Sequence, residues 1–279
     1  MKKIYLPLVG CVAALMAVSC GSNSGSGSSS TGGVRNFDVN LTVKSAEKFY
    51  QTDVYGDTVY IDVSTSIQWP ERIGDFDIAS LQDTIVSYSF GKDKVAERNI
   101  DKIISGYIAD TSFIGDEAEC NAIDSIPGGD DAAPYFYDVT ATLVEVNEQM
   151  VTYQISAFAY TGGAHPYGAS HPFTYDLSRG CVLTAENMFR SGSEKEVLSI
   201  VQNGLARQLG VNPSQLESAG IFVSQFTSPG QPYINNDVIV FHFNPYDIAP
   251  YSMGNIDVAV YPYELNEYLA PEVKALLNE

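Results

Sequence analysis

Basic residues are scarce in this chain: 15 Lys and Arg stand against 34 Asp and Glu, and histidine occurs only three times. A surface so short of positive charge excludes nucleic acid as a partner and disfavours docking on anionic lipid, while it suits a cationic partner. An apolar run at Leu8–Val18 is too short to span a bilayer, which takes roughly 20 apolar residues. The chain has no HExxH pair to fix a metal and no GxSxG elbow for a serine nucleophile. No lysine or helix start follows Gly162-Gly163 to make a phosphate loop. No cofactor motif is present either. The sequence therefore points to a non-enzymatic binding module.

What is present begins with an address. Lys2 and Lys3 precede the apolar run, and Ala17-Val18-Ser19-Cys20 has the form of a lipobox, so residues 1–19 read as a lipoprotein signal peptide and Cys20 as the lipidated first residue. Residues 20–36 are a Gly/Ser tether. The expected location is the cell envelope, on the periplasmic side of the outer membrane, with membrane contact through the lipid alone. Removing the leader leaves 13 basic against 34 acidic residues, a net charge of −21. Two further cysteines, Cys120 and Cys181, are left in the folded part. In an oxidising compartment they can form a disulfide or persist as two thiols, and the sequence leaves both open.

The pattern along the chain is that of an α+β protein, and the expectation is two modules, each a mainly antiparallel sheet covered by amphipathic helices. The first spans residues 37–115. Phe37, Val39, Leu41 and Val43 alternate with polar residues, Tyr60–Ile67 repeats the alternation, and residues 51–57 form the turn between the two strands. Trp69-Pro70 reads as a strand end. Helices follow, one with Ile78, Leu81 and Ile85 on a face, another with Ile100, Ile103, Ile104, Tyr107 and Ile108. Residues 116–134, with Pro127-Gly128-Gly129, are the connector. The second module, 135–279, opens with a hairpin of Val139–Val146 and Met150–Tyr160 and continues with a strand at Phe173–Leu177. A helix with Val197, Val201 and Leu205 is capped by Ser193 and stopped by Gly210. Ile221–Phe226, Val238–Phe243 and Ile256–Val260 read as strands, and Glu264–Leu277 as a helical region.

Unusual local chemistry concentrates at Gln154–Leu177. His165 and His171 are six apart in a stretch that also holds Gly162, Gly163, Pro166 and Gly168, and His242 is the one other histidine. Three imidazoles are the donor set of an open zinc site, which gives a metal-dependent hydrolase as the alternative to binding, although the spacing fixes no two of them on one element. Tyrosines beside proline and glycine are the stronger feature. Tyr160, Tyr167, Tyr246 and Tyr251, grouped with Gly162, Gly163, His165 and His171, make the candidate binding set.

Three blocks carry a resemblance: YTGGAH at Tyr160–His165, FTYDLSRGCVLTAENMF at Phe173–Phe189, and VFHFNPYDIAPYSMG at Val240–Gly254 running on to Leu265. Residues 138–269 resemble domain-of-unknown-function family 3298, which includes the extracytoplasmic domain of RsiV-type anti-sigma factors. Residues 37–108 are more weakly similar to the 4163-type module often fused ahead of it. The resemblance implies an α+β fold and, through RsiV-type members, binding of lysozyme or a similar cationic protein. A peptidoglycan or glycan ligand is the competing expectation, with the same tyrosines stacking on sugar rings. The lipobox stands where RsiV-type members carry a transmembrane helix, so anti-sigma activity does not follow. The anchor is checked by intact mass with and without globomycin: an acyl adduct on Cys20 is expected, and mature protein without it would remove the assignment.

Overall fold

Two long alternating strands start the fold, β1 (Val39–Val54) and β2 (Asp57–Ile73), paired antiparallel along their whole length. The computed structural model describes residues 37–54, 56–112, 120–128 and 135–277. The signal peptide, Cys20 and the tether lie outside these, as does most of the expected connector. Both strands outrun the pattern that announced them. Pro70 does not end β2, because it pairs with Leu41 where the register shifts between Asn40 and Leu41, and a bulge tolerates a residue that cannot donate to the ladder.

Helices α1 (Ala79–Phe90) and α2 (Ile100–Ala109) follow, and bury the apolar stripes expected of them. Asn99 caps α2 by accepting from the Lys102 amide. Ile78, Leu81, Ile85, Ile100, Ile103 and Ile104 join Ile67, Ile73, Val139, Ile155 and Phe173 in one core between the helices and a face of the sheet. Each fully buried aliphatic side chain here contributes on the order of 1.5–3 kcal/mol of transfer free energy.

The chain then runs through β3 (Asn121–Ile123) to the hairpin of β4 (Tyr135–Val146) and β5 (Met150–Tyr160), and on to β6 (Tyr167–Asp176) and β7 (Cys181–Val182). All seven strands form one sheet in the order β3-β1-β2-β4-β5-β6-β7. The pairings are antiparallel except β2 with β4, which run parallel from Ile61↔Tyr135 to Ile67↔Ala141. That pairing changes the expected division. The fold class is α+β with a large, mainly antiparallel sheet, but the sheet crosses the proposed boundary at 116–134, and the described residues on either side of it belong to one compact unit. Helices between β2 and β4 make a crossover, and a crossover returns the chain parallel to where it started.

The cysteines answer to the same topology. Cys120 lies beside β3 at one edge of the sheet and Cys181 lies in β7 at the other, so strand spacing puts them roughly 25–30 Å apart. A disulfide needs Cα atoms within about 7 Å. Both are free thiols, and the disulfide considered from sequence is corrected.

The C-terminal part covers the opposite face of β5 and β6. It contains α3 (Ala185–Met188), α4 (Glu194–Leu209), a second sheet of β8 (Gln231–Asn235), β9 (Val238–Phe243) and β10 (Ile256–Val260), then α5 (Pro262–Leu265) and α6 (Pro271–Leu276). Its order is β10-β9-β8, with Asn236 and Asp237 both at positive φ in the two-residue turn, as a hairpin of this length requires. Two expectations differ here. Ile221–Phe226 is a hydrogen-bonded turn that buries Ile221 and Phe226, while strand β8 comes from the segment read as loop, where Pro232 hid it. Ser193 does not cap α4 through its side chain, since its hydroxyl donates to the Arg190 carbonyl.

A closed ring of hydrogen bonds joins the two sheets. The Ile234 amide donates to Thr174 Oγ1 at 2.7 Å, and Thr152 Oγ1 donates to the Ile234 carbonyl at 2.8 Å. The remaining 2.8 Å contact between the hydroxyls must then run from Thr174 to Thr152. All three residues are fully buried. Thr174→Val leaves the Ile234 amide without an acceptor in an interior site, for which a loss of about 1–3 kcal/mol is expected. Urea denaturation measures it, and a change below about 0.5 kcal/mol would show the ring to be dispensable.

Candidate functional site

Strand alternation decides which residues of the large sheet face the helices and which face the other way. Ile61, Val63, Val139 and Ile155 go to the helical side. Their neighbours Asp62, Ser64, Phe136, Asp138 and Tyr160 go to the opposite side. A cleft of about 660 Å³ is left there, lined by these five residues and by Ala164, His165 and Pro166 of the β5–β6 loop.

That loop is held in place from both ends. Gly162 and Gly163 sit at φ +89° and +105°, where L side chains rarely go, and a Cβ on Gly162 would lie 2.8 Å from the Tyr135 hydroxyl. The Tyr160 hydroxyl donates to the Gly163 carbonyl at 3.1 Å. His165 stacks on Tyr251, with ring centres 3.6 Å apart and planes 13° from parallel. Its Nδ1 lies 2.7 Å from the Pro166 carbonyl, which can only accept, so Nδ1 carries the proton and Nε2 is left to accept from the Tyr246 hydroxyl at 3.3 Å. Tyr246 is 56% exposed and adopts φ +72°, a left-handed conformation that is costly for a residue with a Cβ. An exposed aromatic held in such a conformation marks the turn between β9 and β10 as a place where ring position matters.

The electrostatics of the cleft are one-sided. Asp62 Oδ1 is wholly buried and meets no hydrogen-bond donor among the described residues. Burial, then Glu47 and Asp138, push its carboxyl up to about 6. Asp138 is raised as well, by burial, against the opposing effect of a hydrogen bond from the Ser64 hydroxyl at 3.1 Å. Among the described residues, no Lys or Arg lines the cleft. The aromatic wall of Tyr160, Phe136 and His165 thus faces carboxylates that lack a cation.

The sequence-derived candidates divide between three places. Tyr160, Gly162, Gly163, His165, Tyr246 and Tyr251 come together at this cleft and its rim. Tyr167 does not: it lies on the helical side, with Tyr107 and Tyr137. His171 stands farther along β6 beside Tyr88, with ring centres 6.0 Å apart, and opens onto a second, polar cleft. His242 is buried, its Nδ1 2.8 Å from Asp257 Oδ1 and its Nε2 3.4 Å from Asn244 Oδ1. The three histidines therefore do not converge, and the zinc arrangement considered from sequence is not assembled. No group of three or more metal-ligating side chains occurs among the described residues. Asp62, Asp138 and Phe136 were missed. The alternation of Tyr60–Ile67 does put Asp62 on a polar face, but only the β2–β4 pairing brings Asp138 beside it.

The fold is α+β with a large, mainly antiparallel sheet, and comparison with known proteins adds what it is similar to. Residues 186–263 match the family model described as protein of unknown function (DUF3298). That stretch holds α4, the β8–β10 sheet and the Tyr246–Tyr251 turn. The fold is shared with a DUF3298 family member from Bacteroides fragilis (TM-score 0.67, 19% identity, 88% of this chain and 98% of that one). It is shared also with one from Pseudomonas aeruginosa (TM-score 0.53, 15% identity, 84% and 96%). Among curated proteins, 99 residues are 29% identical to Esterase Rv3036c of Mycobacterium tuberculosis, covering 35% of this chain and 42% of the esterase. A further 25% identity over 176 residues relates it to immunogenic protein MPT64 of the same organism, covering 61% of this chain and 72% of MPT64. Among the described residues, no helix is long and apolar enough to cross a membrane.

The raised Asp62 carboxyl has a stability consequence. A group whose value in the fold exceeds its open-chain 3.8 favours folding fully below that value, and the gain is lost as pH rises through about 6. Asp62→Asn should therefore melt a few degrees above the wild type at pH 7.5, with the difference gone by about pH 4. Scanning fluorimetry across that range checks it; equal melting at pH 7.5 would contradict the buried, unpartnered state of this carboxyl.

Proposed function

We propose that this protein is a non-enzymatic binding module of the cell envelope, tethered through Cys20 on the periplasmic side, that captures a cationic protein such as lysozyme. The observation that carries the reading is Asp62 Oδ1, a buried carboxylate oxygen in an aromatic-walled cleft, with neither a donor nor a cation beside it among the described residues. A lysine or arginine side chain supplied by a partner would provide both the donor and the charge, and its stem would lie against Tyr160 and Phe136. Around the cleft, the acidic surplus of the chain accelerates encounter with a basic protein, while Tyr246 and Tyr251 on the rim supply apolar area once water is excluded. The resemblance to RsiV-type domains supports the same class of partner. The esterase relative shares too short a segment to draw catalysis into the reading.

Calorimetric titration with hen lysozyme at low and physiological ionic strength tests this. Saturable binding is expected, weaker at the higher salt, and weaker by about tenfold in both Asp62→Asn and Tyr160→Ala. Affinity should also fall as pH is lowered from 7.5 to 5, because Asp62 loses its charge through about 6, and that dependence should vanish in Asp62→Asn. Absence of binding at low salt would end the lysozyme reading.

A further inference from the structure

A second concavity, of about 310 Å³, opens on the other side of the β9–β10 turn, between β6, the start of β8 and the end of β9. Its size is at the lower end of small-molecule sites. Ser170, His171, Gln225, Gln231, Asn244 and Asp247 line it, and the imidazole of His242 lies against its floor, 5% exposed. We propose that this cleft binds one sugar ring of a neutral glycan.

The lining selects this chemistry by what it offers. Among the described residues, no lysine or arginine lines it to neutralise an anion, and Asp247 at the rim repels one. Only Phe243 and Ile248 are apolar among the larger side chains, too little to hold a hydrophobic ligand. What remains is amide, hydroxyl and imidazole, groups that donate and accept over short distances, and a sugar hydroxyl does both. A sugar ring also has a flat apolar face, which an uncharged aromatic ring can cover.

His171 is placed for that contact. It stands exposed at the mouth, and no hydrogen bond to its ring occurs among the described residues. Partial burial, and then the neighbouring His242, hold its imidazole below the ordinary histidine value, with Asp247 pulling the other way. The ring is therefore neutral at pH 7.5. The floor is rigid by contrast: Asp257 fixes His242, and Asn244 is held by two bonds to the Ser170 backbone. A preorganised polar floor with one exposed imidazole at the mouth, resting beside Tyr88, limits the ordering cost of a small ligand.

The test uses the whole protein at pH 7.5, titrated in the calorimeter with four neutral tetrasaccharides: chitotetraose, cellotetraose, maltotetraose and mannotetraose. At least one should bind with a Kd below about 10 mM, in the range of a few hydrogen bonds. His171→Ala and Gln231→Ala should each weaken that binding by about tenfold while melting within about 2 °C of the wild type. If none of the four binds by 10 mM, or if both variants bind as the wild type does, the cleft is not a sugar site. No protein partner enters this titration, so its failure would leave the acidic cleft untouched.

Discussion

The outer edge of β6 is the constraint on which the rest of the structure hangs. At Ser170 this strand has β5 on one side and no strand on the other, since β7 pairs only with Tyr175 and Asp176. An unpaired strand edge inside a protein must find donors and acceptors elsewhere. Asn244 provides both: its Oδ1 accepts from the Ser170 amide at 2.6 Å and its Nδ2 donates to the Ser170 carbonyl at 3.1 Å. Four residues on, Thr174 and Thr152 do the same for the edge of β8 at Ile234. Side chains here substitute for a strand, and through them the three-stranded sheet is fastened to the seven-stranded one.

Function follows from where that fastening leaves the turns. Asn244 begins the segment that carries Tyr246, Asp247 and Tyr251, so anchoring Asn244 also positions those three. His165 then reaches across from the β5–β6 loop to stack on Tyr251, which ties the glycine loop to the same turn. The anchored turn lines the second cleft directly and reaches the first through His165, and the two clefts differ in chemistry. The first sets carboxylates without cations against aromatic rings, and the second offers neutral donors and acceptors over a rigid floor. The left-handed backbone of Tyr246 is tolerated between them because its amide is bonded to Ala249 and its hydroxyl to His165.

His242 shows how one residue type supports opposite roles. As a strand histidine among apolar neighbours it could be a ligand, a catalyst or a structural group. Its two ring nitrogens face Asp257 and Asn244, and through Asn244 it steadies the β6 edge. Its importance is to the joint between the sheets, which in turn shapes both clefts.

The sequence by itself determined the local elements whose period is strong. The alternation of β4, β5 and β9, the stripes of α1, α2 and α4, and the stop at Gly210 all depend on neighbours within a few residues, and side-chain period reports those directly. It also determined the glycine loop, because φ near +90° to +105°, as at Gly162 and Gly163, is beyond the left-handed region that Asn and Asp reach and is left to glycine. What only the tertiary structure decided were the pairings between distant segments. Asp62 meets Asp138 through a parallel register 76 residues away in sequence. Cys120 and Cys181 are parted by the full width of a sheet, β8 forms despite Pro232 because Thr174 and β9 supply its partners, and His165 leaves the other histidines for two tyrosines. Each depends on contacts whose partners are remote along the chain, and a one-dimensional pattern carries no record of which remote partner a residue will find.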